Sequence, residues 1–134
     1  MSRALIQTAN QSQQVIALDS IITLGSVQRR YGCGCKLSGN AIELSEPGYY
    51  TVDATITATP TAIGNVTVVL EENGNPVQGA IGVGSVSTVG NSTTIPIVAT
   101  IRKGCCDVNI SNLTFVLTEG VGVINNISVR VEKA

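Results

Sequence analysis

Between Gly48 and Pro60 the sequence GYYTVDATITATP alternates between two chemistries with a period of two. Tyr50, Val52, Ala54, Ile56 and Ala58 fall on one side of an extended chain, and Tyr49, Thr51, Asp53, Thr55, Thr57 and Thr59 fall on the other. This predicts a long, half-buried antiparallel strand. Its Thr and β-branched content fits a pleated surface, and Glu46-Pro47-Gly48 supplies the turn that leads into it.

Shorter segments repeat the pattern. Strands are expected at residues 4–8, 15–18 and 21–27, then an interruption at 29–34, a turn at Ser38-Gly39-Asn40 and a strand at Ala41–Leu44. Beyond Pro60, Val66, Val68 and Leu70 share a face, and Asn73-Gly74 is the dipeptide that joins two paired strands in a tight hairpin. Residues 77–89 are rich in Gly and Ser and suit an edge strand whose backbone approaches another surface closely. Ile95, Ile97, Ala99 and Ile101 align, with Pro96 on the opposite phase. Pro96 cannot donate to a ladder, so that strand belongs at an edge or carries a bulge. A change of phase between Val108-Ile110 and Leu113-Phe115-Leu117 predicts a bulge at Ser111-Asn112. The last strand, 121–132, is expected to turn Val121, Val123, Asn125, Ile127, Val129 and Val131 one way. With no helical periodicity between the strands, the chain is expected to be one all-β sandwich or barrel spanning 1–134.

The 134 residues are enough for one core. Hydrophobic residues make up 43% but aromatics only 3%, with no Trp and one Phe, so Val, Ile, Leu and Ala must fill it. Aliphatic side chains bury less area than aromatic ones, which raises the expectation that other subunits cover part of the apolar surface. Eight basic and nine acidic residues leave a net charge of -1, without the basic footprint that nucleic acid or anionic lipid would require. No apolar run is long enough to span a bilayer. Met1-Ser2-Arg3-Ala4 and the Gln- and Ser-rich residues after it lack a signal-peptide core, so synthesis in a cytosol is expected. The Asn-x-Ser/Thr triplets, as at Asn10 and Asn65, arise from composition and read as silent.

Four cysteines stand in two groups, Cys33-Gly34-Cys35 and Cys105-Cys106. Gaps of one and zero residues do not match structural zinc spacing, and the chain has no His. Buried or disulfide-linked structural cysteines are therefore expected ahead of a metal site or a redox role. In an extended chain Cys33 and Cys35 would face the same way, and Cys105 and Cys106 opposite ways. Catalysis finds little support, since neither a His base nor a Gly-x-Ser-x-Gly elbow is present. Glu71-Glu72 point to opposite faces of a strand and cannot flank one bond, and Asp53 reads as a surface carboxylate before a calcium ligand. No cofactor is expected. Arg29, Arg30 and Tyr31 form the candidate interface cluster, with a solvated corner as the alternative.

The strand order, the stretch Gly39 to Leu44 ("GNAIEL"), the Pro-Gly turn, Gly48-Tyr49-Tyr50 at the head of the long strand and the Asn-Gly hairpin together resemble the jelly roll of the tumour necrosis factor family and of the globular head of complement, with its bacterial and phage relatives. The compact Asn-, Thr- and Gly-rich style also resembles small virion or surface proteins of tailed phages of Gram-positive gut bacteria. This resemblance implies a TNF-like jelly roll, a homotrimer with its inner sheet near the axis, and a place on a virion. Head decoration, head fibre or tail-associated adhesin would all fit. Other virion proteins and a host surface glycan are the implied partners beyond the chain itself. The polar residues 1–13 would serve as attachment strand and link, and loops 59–65 and 87–93 would touch capsid, tail or glycan. A carbohydrate- or cell-surface-binding module of bacterial or prophage origin is the alternative.

Overall fold

The computed structural model describes residues 3–104, 110–120 and 122–133. The described residues form eleven strands: β1 Leu5–Asn10, β2 Gln14–Ile16, β3 Ser26–Tyr31, β4 Cys35–Ser38, β5 Ala41–Leu44, β6 Gly48–Pro60, β7 Gly64–Glu72, β8 Asn75–Val86, β9 Thr93–Lys103, β10 Ser111–Glu119 and β11 Gly122–Lys133. No helix occurs among the described residues. One antiparallel sheet runs β3-β1-β11-β6-β9, with β2 beside the start of β11; the other runs β4-β5-β10-β7-β8. The two face each other across a single core.

The alternation in β6 is realised over its whole length, with Tyr50, Val52, Ala54, Ile56 and Ala58 buried and Tyr49, Thr51, Asp53 and Thr55 exposed. Facing them from the opposite sheet are Val66, Val68, Leu70, Leu113, Phe115 and Leu117, all buried. Asn73 and Gly74 both adopt positive φ, 54° and 85°, the geometry of a two-residue hairpin between β7 and β8. Pro96 lies on β9, the edge of its sheet, and β8 is the edge of the other, as the sequence predicts. The core closes within one chain, and Tyr50 and Phe115 are fully buried without a neighbour. Scarcity of aromatic rings therefore does not by itself call for another subunit.

Five expectations are corrected. Residues 21–27 do not form one strand. Ile21 makes a single bridge to Val116, Ile22 donates to the Phe115 carbonyl, and pairing resumes only at Ser26. The buried alternation of Ile22 and Leu24 is real, but the Gln14 carboxamide takes the strand partner's place at Thr23, accepting from its N–H (3.0 Å) and donating to its carbonyl (2.9 Å). Likewise, 15–18 shortens to Gln14–Ile16 and leaves Leu18 outside the strand. Arg29 to Tyr31 belong to β3 and do not interrupt the pattern, while Cys35–Ser38 is a strand the sequence did not announce. No bulge occurs at Ser111-Asn112, where β10 pairs with β5 in continuous register. In β10 and β11 the register shifts fall instead between Leu117 and Glu119 and between Ile124 and Asn126, and the second turns Ile124 inward in place of Val123.

Candidate functional site

Three surfaces hold the chemistry that the fold assembles. The first is the corner where β3 and β4 leave the two sheets unjoined. Tyr31 lies opposite Leu5 and Arg29 opposite Gln7, so both stand on the outer face of the six-stranded sheet. Arg30 takes the other phase, and its Nε donates to the Cys35 carbonyl at 2.8 Å, tying the edge of one sheet to the edge of the other. The three residues singled out from the sequence are thus divided between an outward pair and a clamp.

Cys33 and Cys35 do not face the same way. Residues 32–34 bend, leaving Cys33 exposed and Cys35 buried, and both are free thiols. Cys105 and Cys106 lie outside the described residues. Burial pushes the Cys35 thiol up to about 11; nearby Arg30 opposes this, Glu46 adds to it and Lys133 opposes it. A thiol held protonated at neutral pH is a packed core group and not a nucleophile. Beside it the Tyr50 hydroxyl donates to the Glu46 carbonyl at 2.6 Å and is itself pushed up to about 12, chiefly by burial. Lys133 pairs with Glu46 at 3.7 Å, and Ser45 reaches back to the carbonyls of Gly34 (3.1 Å, from N–H) and Cys33 (3.2 Å, from Oγ). The corner is stitched by backbone acceptors, and this suits a structural role.

The second surface is the loop end. Gln13 donates to Asn125 Oδ1 at 3.3 Å, Asn125 donates to Thr59 Oγ1, and Thr59 and Ser92 share a hydrogen bond at 2.8 Å. Residues distant in sequence so form one chain of amides and hydroxyls, with exposed Ile63 and Val89 in the adjoining loops. No group of His, Cys, Asp or Glu among the described residues could hold a metal ion. Glu71 and Glu72 sit beside the β7–β8 turn opposite Pro76 and Asn75, and Asp53 sits between Arg130 and Val98 on the outer sheet face.

The third feature is the contrast between the two outer faces. The outer face of the six-stranded sheet carries Arg29, Arg102 and Arg130 against Asp53 and Glu132; that of the five-stranded sheet carries Glu43, Glu71 and Glu119 against Lys36. Charges scattered along the sequence are sorted by the fold. On the outer face of the six-stranded sheet a row of small side chains, Ala9, Ser128, Thr55 and Pro96, and the pair Thr51 and Thr100 flank a central row of Gln7, Arg130, Asp53 and Val98. Tyr49 and Val98 rise from this face, 55% and 65% exposed. The outer face of the other sheet carries an aliphatic row, Ile21, Val116, Val69 and Ile81, placed side by side by the strand register. Reasoning from alternation did not find this row. The signal lay in Val68-Val69-Leu70 and Phe115-Val116-Leu117, where unbroken apolar runs mark strands that are apolar on both faces.

Two antiparallel sheets in these orders define a jelly-roll sandwich of the kind found in tumour necrosis factors and complement heads. Among solved structures the chain is similar to the Eiger TNF of S. frugiperda, with a TM-score of 0.70 and 12% identity over 98% of this chain and 91% of that one. It is similar also to the globular domain of zebrafish complement 1qA protein, with a TM-score of 0.71 and 8% identity over 94% of each. The PRD1 vertex protein P5 matches with a TM-score of 0.62 and 12% identity over 97% of this chain and 72% of that one. No family model matches the sequence, and no curated protein matches it either. At such identities the likeness is one of fold.

Proposed function

We propose that the chain is a non-enzymatic structural protein that assembles as a homotrimer on the particle of a tailed phage, as a head decoration, head fibre or tail-associated adhesin. Its place would be the virion, after synthesis in the host cytoplasm. The observation that carries this reading is the outer face of the six-stranded sheet, where small Ala, Ser and Thr side chains flank the paired charges Arg130 and Asp53 and exposed Tyr49 and Val98 stand out, a mix of apolar anchors and polar groups that suits packing against another copy. Threefold contact joins two different patches of the same molecule, so the face need not be self-complementary. Likeness in fold to a phage vertex protein and to TNF-like domains supports the setting.

Sedimentation velocity tests it. The purified chain is expected at three times its own mass, and Tyr49→Asp with Val98→Asp is expected to give a folded monomer. A wild-type monomer at tens of micromolar would remove the trimer reading. A second reading, recognition of a host surface glycan, is favoured by the amide and hydroxyl chain at the loop end. It predicts a glycan-array response that Thr59→Ala and Ser92→Ala abolish without altering sedimentation.

A further inference from the structure

We infer that the outer face of the five-stranded sheet is a docking surface for a basic amphipathic helix of another protein. Ile21, Val116, Val69 and Ile81 stand side by side across four neighbouring chain segments, and Val83 extends the patch beside Thr67. Val116 and Val69 form its closely packed middle, each 6% exposed, while Ile21, Ile81 and Val83 are open at 45%, 55% and 56%. Neither Val69 nor Val116 belongs to the core cluster between the sheets. The row runs perpendicular to the strands and spans three strand spacings, about 14 Å. That is the length of about ten residues of α-helix, whose apolar stripe at i, i+3, i+4 and i+7 is a straight line of the same kind.

The flanks decide the charge of the occupant. Glu71 follows Val69 by two residues along β7, which places it about 7 Å to one side of the row. Glu119 accepts from Thr67 Oγ1 at 2.8 Å on the other side, and Glu43 lies further out beyond Asn112. Lys36, the one cation among the described strand residues of this sheet, is held by Glu43 at 3.9 Å. An apolar line bordered by carboxylates on both sides matches a helix whose apolar stripe is bordered by Lys or Arg, with the long stems of those residues lying along the aliphatic row. No helix occurs among the described residues, and the occupant we assign is a helix of another protein. This surface is separate from the six-stranded face assigned to self-assembly.

The probe is a synthetic helical peptide of about fourteen residues with leucine at i, i+3, i+4 and i+7 and lysine elsewhere. It is titrated into the isotope-labelled protein while amide resonances are followed. Perturbations are expected at Thr67, Val69, Ile81, Val83 and Val116. Affinity is expected to fall about tenfold or more from low to near-molar salt, since screening acts on exposed charges. Ile81→Ser with Val83→Ser should lower affinity at least as much, and Glu71→Lys should do the same while leaving the apolar row intact, so a failure of the first variant to fold leaves the second to decide. Perturbations centred on the Asp53 and Arg130 face, equal binding by a peptide with glutamate in place of lysine, or no binding at millimolar peptide would each overturn the inference. Sedimentation run in parallel reports the trimer independently.

Discussion

The two sides on which the sheets could gape are closed by opposite chemistry. Between the edge strands β8 and β9 the closure is dry: Gly82 and Gly84 turn inward, and the space a side chain would need is filled by Ile95, Ile97 and Thr93. A Cβ built on Gly84 would stand 2.6 Å from Thr93 Oγ1, and one on Gly82 would collide with Ile95 Cγ2. Between β3 and β4 the closure is polar. Arg30 spans the gap to the Cys35 carbonyl, while Tyr50, Glu46 and Lys133 form the layer beneath. The dry side depends on the absence of atoms, the polar side on hydrogen bonds to backbone acceptors, and the two should respond differently to substitution and to pH.

The largest effect is expected on the dry side. Gly82→Val inserts three carbons where Ile95 and Ile97 already touch the backbone, and overpacking of this kind costs about 3 kcal/mol. Urea denaturation should show the loss as a lower midpoint with little change in slope. A loss near zero would mean that β8 can move away from β9, and the closure would then be no closure at all.

On the polar side the sensitivity is to alkali. Cys35 titrates at about 11 against an ordinary 9.0, and Tyr50 at about 12 against an ordinary 10.0, in both cases first because burial disfavours the anion. A raised value in the folded state means that the native protein holds its proton more tightly than the unfolded chain. Stability is therefore full below pH 9.0 and declines as pH rises through about 11 for Cys35 and about 12 for Tyr50. Urea midpoints measured from pH 8 to pH 11 should fall progressively. Cys35→Ala should be less stable throughout, because it leaves a small cavity, yet should lose less on going from pH 9 to pH 11. An unchanged slope in that variant would show that the corner is wetter than its geometry implies.

Arg30→Ala should cost about 1 kcal/mol through the lost hydrogen bond to the Cys35 carbonyl, measured the same way. It should also raise the Cys35 value further, since Arg30 is the neighbour that most strongly lowers it. The two readouts separate a clamp from a charge that merely lies nearby.

Most of this contrast could not be read from the sequence, although its frame could. Gly48–Pro60 declared its faces because alternation records which side of a strand is buried, and Pro96 and the Gly-rich 77–89 declared edges because a missing donor and missing side chains are local properties. Pairing is not local. Gln14 replaced a strand partner at Thr23 from nine residues away, and nothing in Ile21 to Val27 signals that. Adjacency misled as well. Arg29-Arg30-Tyr31 looked like one cluster, but period two sends Arg30 to the clamp and its neighbours to the outer face. The Cys33-Gly34-Cys35 spacing implied a shared face only for extended backbone, and the bend at 32–34 removes that premise. The aliphatic row arises from four segments far apart in sequence, and only the register puts them in line.

One polar group near the β3 side stands outside the stitching, and it gives the smallest and most specific test. Thr8 is paired through β1 with Val27 of β3 and Val129 of β11, is fully buried, and its Oγ1 meets no hydrogen-bond partner among the described residues. A buried hydroxyl that has given up water without gaining a partner is a liability. Thr8→Val keeps the β-branched shape and exchanges that hydroxyl for a methyl, so the protein should gain about 1 kcal/mol, seen as a higher urea midpoint at unchanged slope. If the variant is instead less stable, Thr8 has a hydrogen bond in solution, and the polar side reaches further into the sandwich than the Arg30 clamp alone would place it.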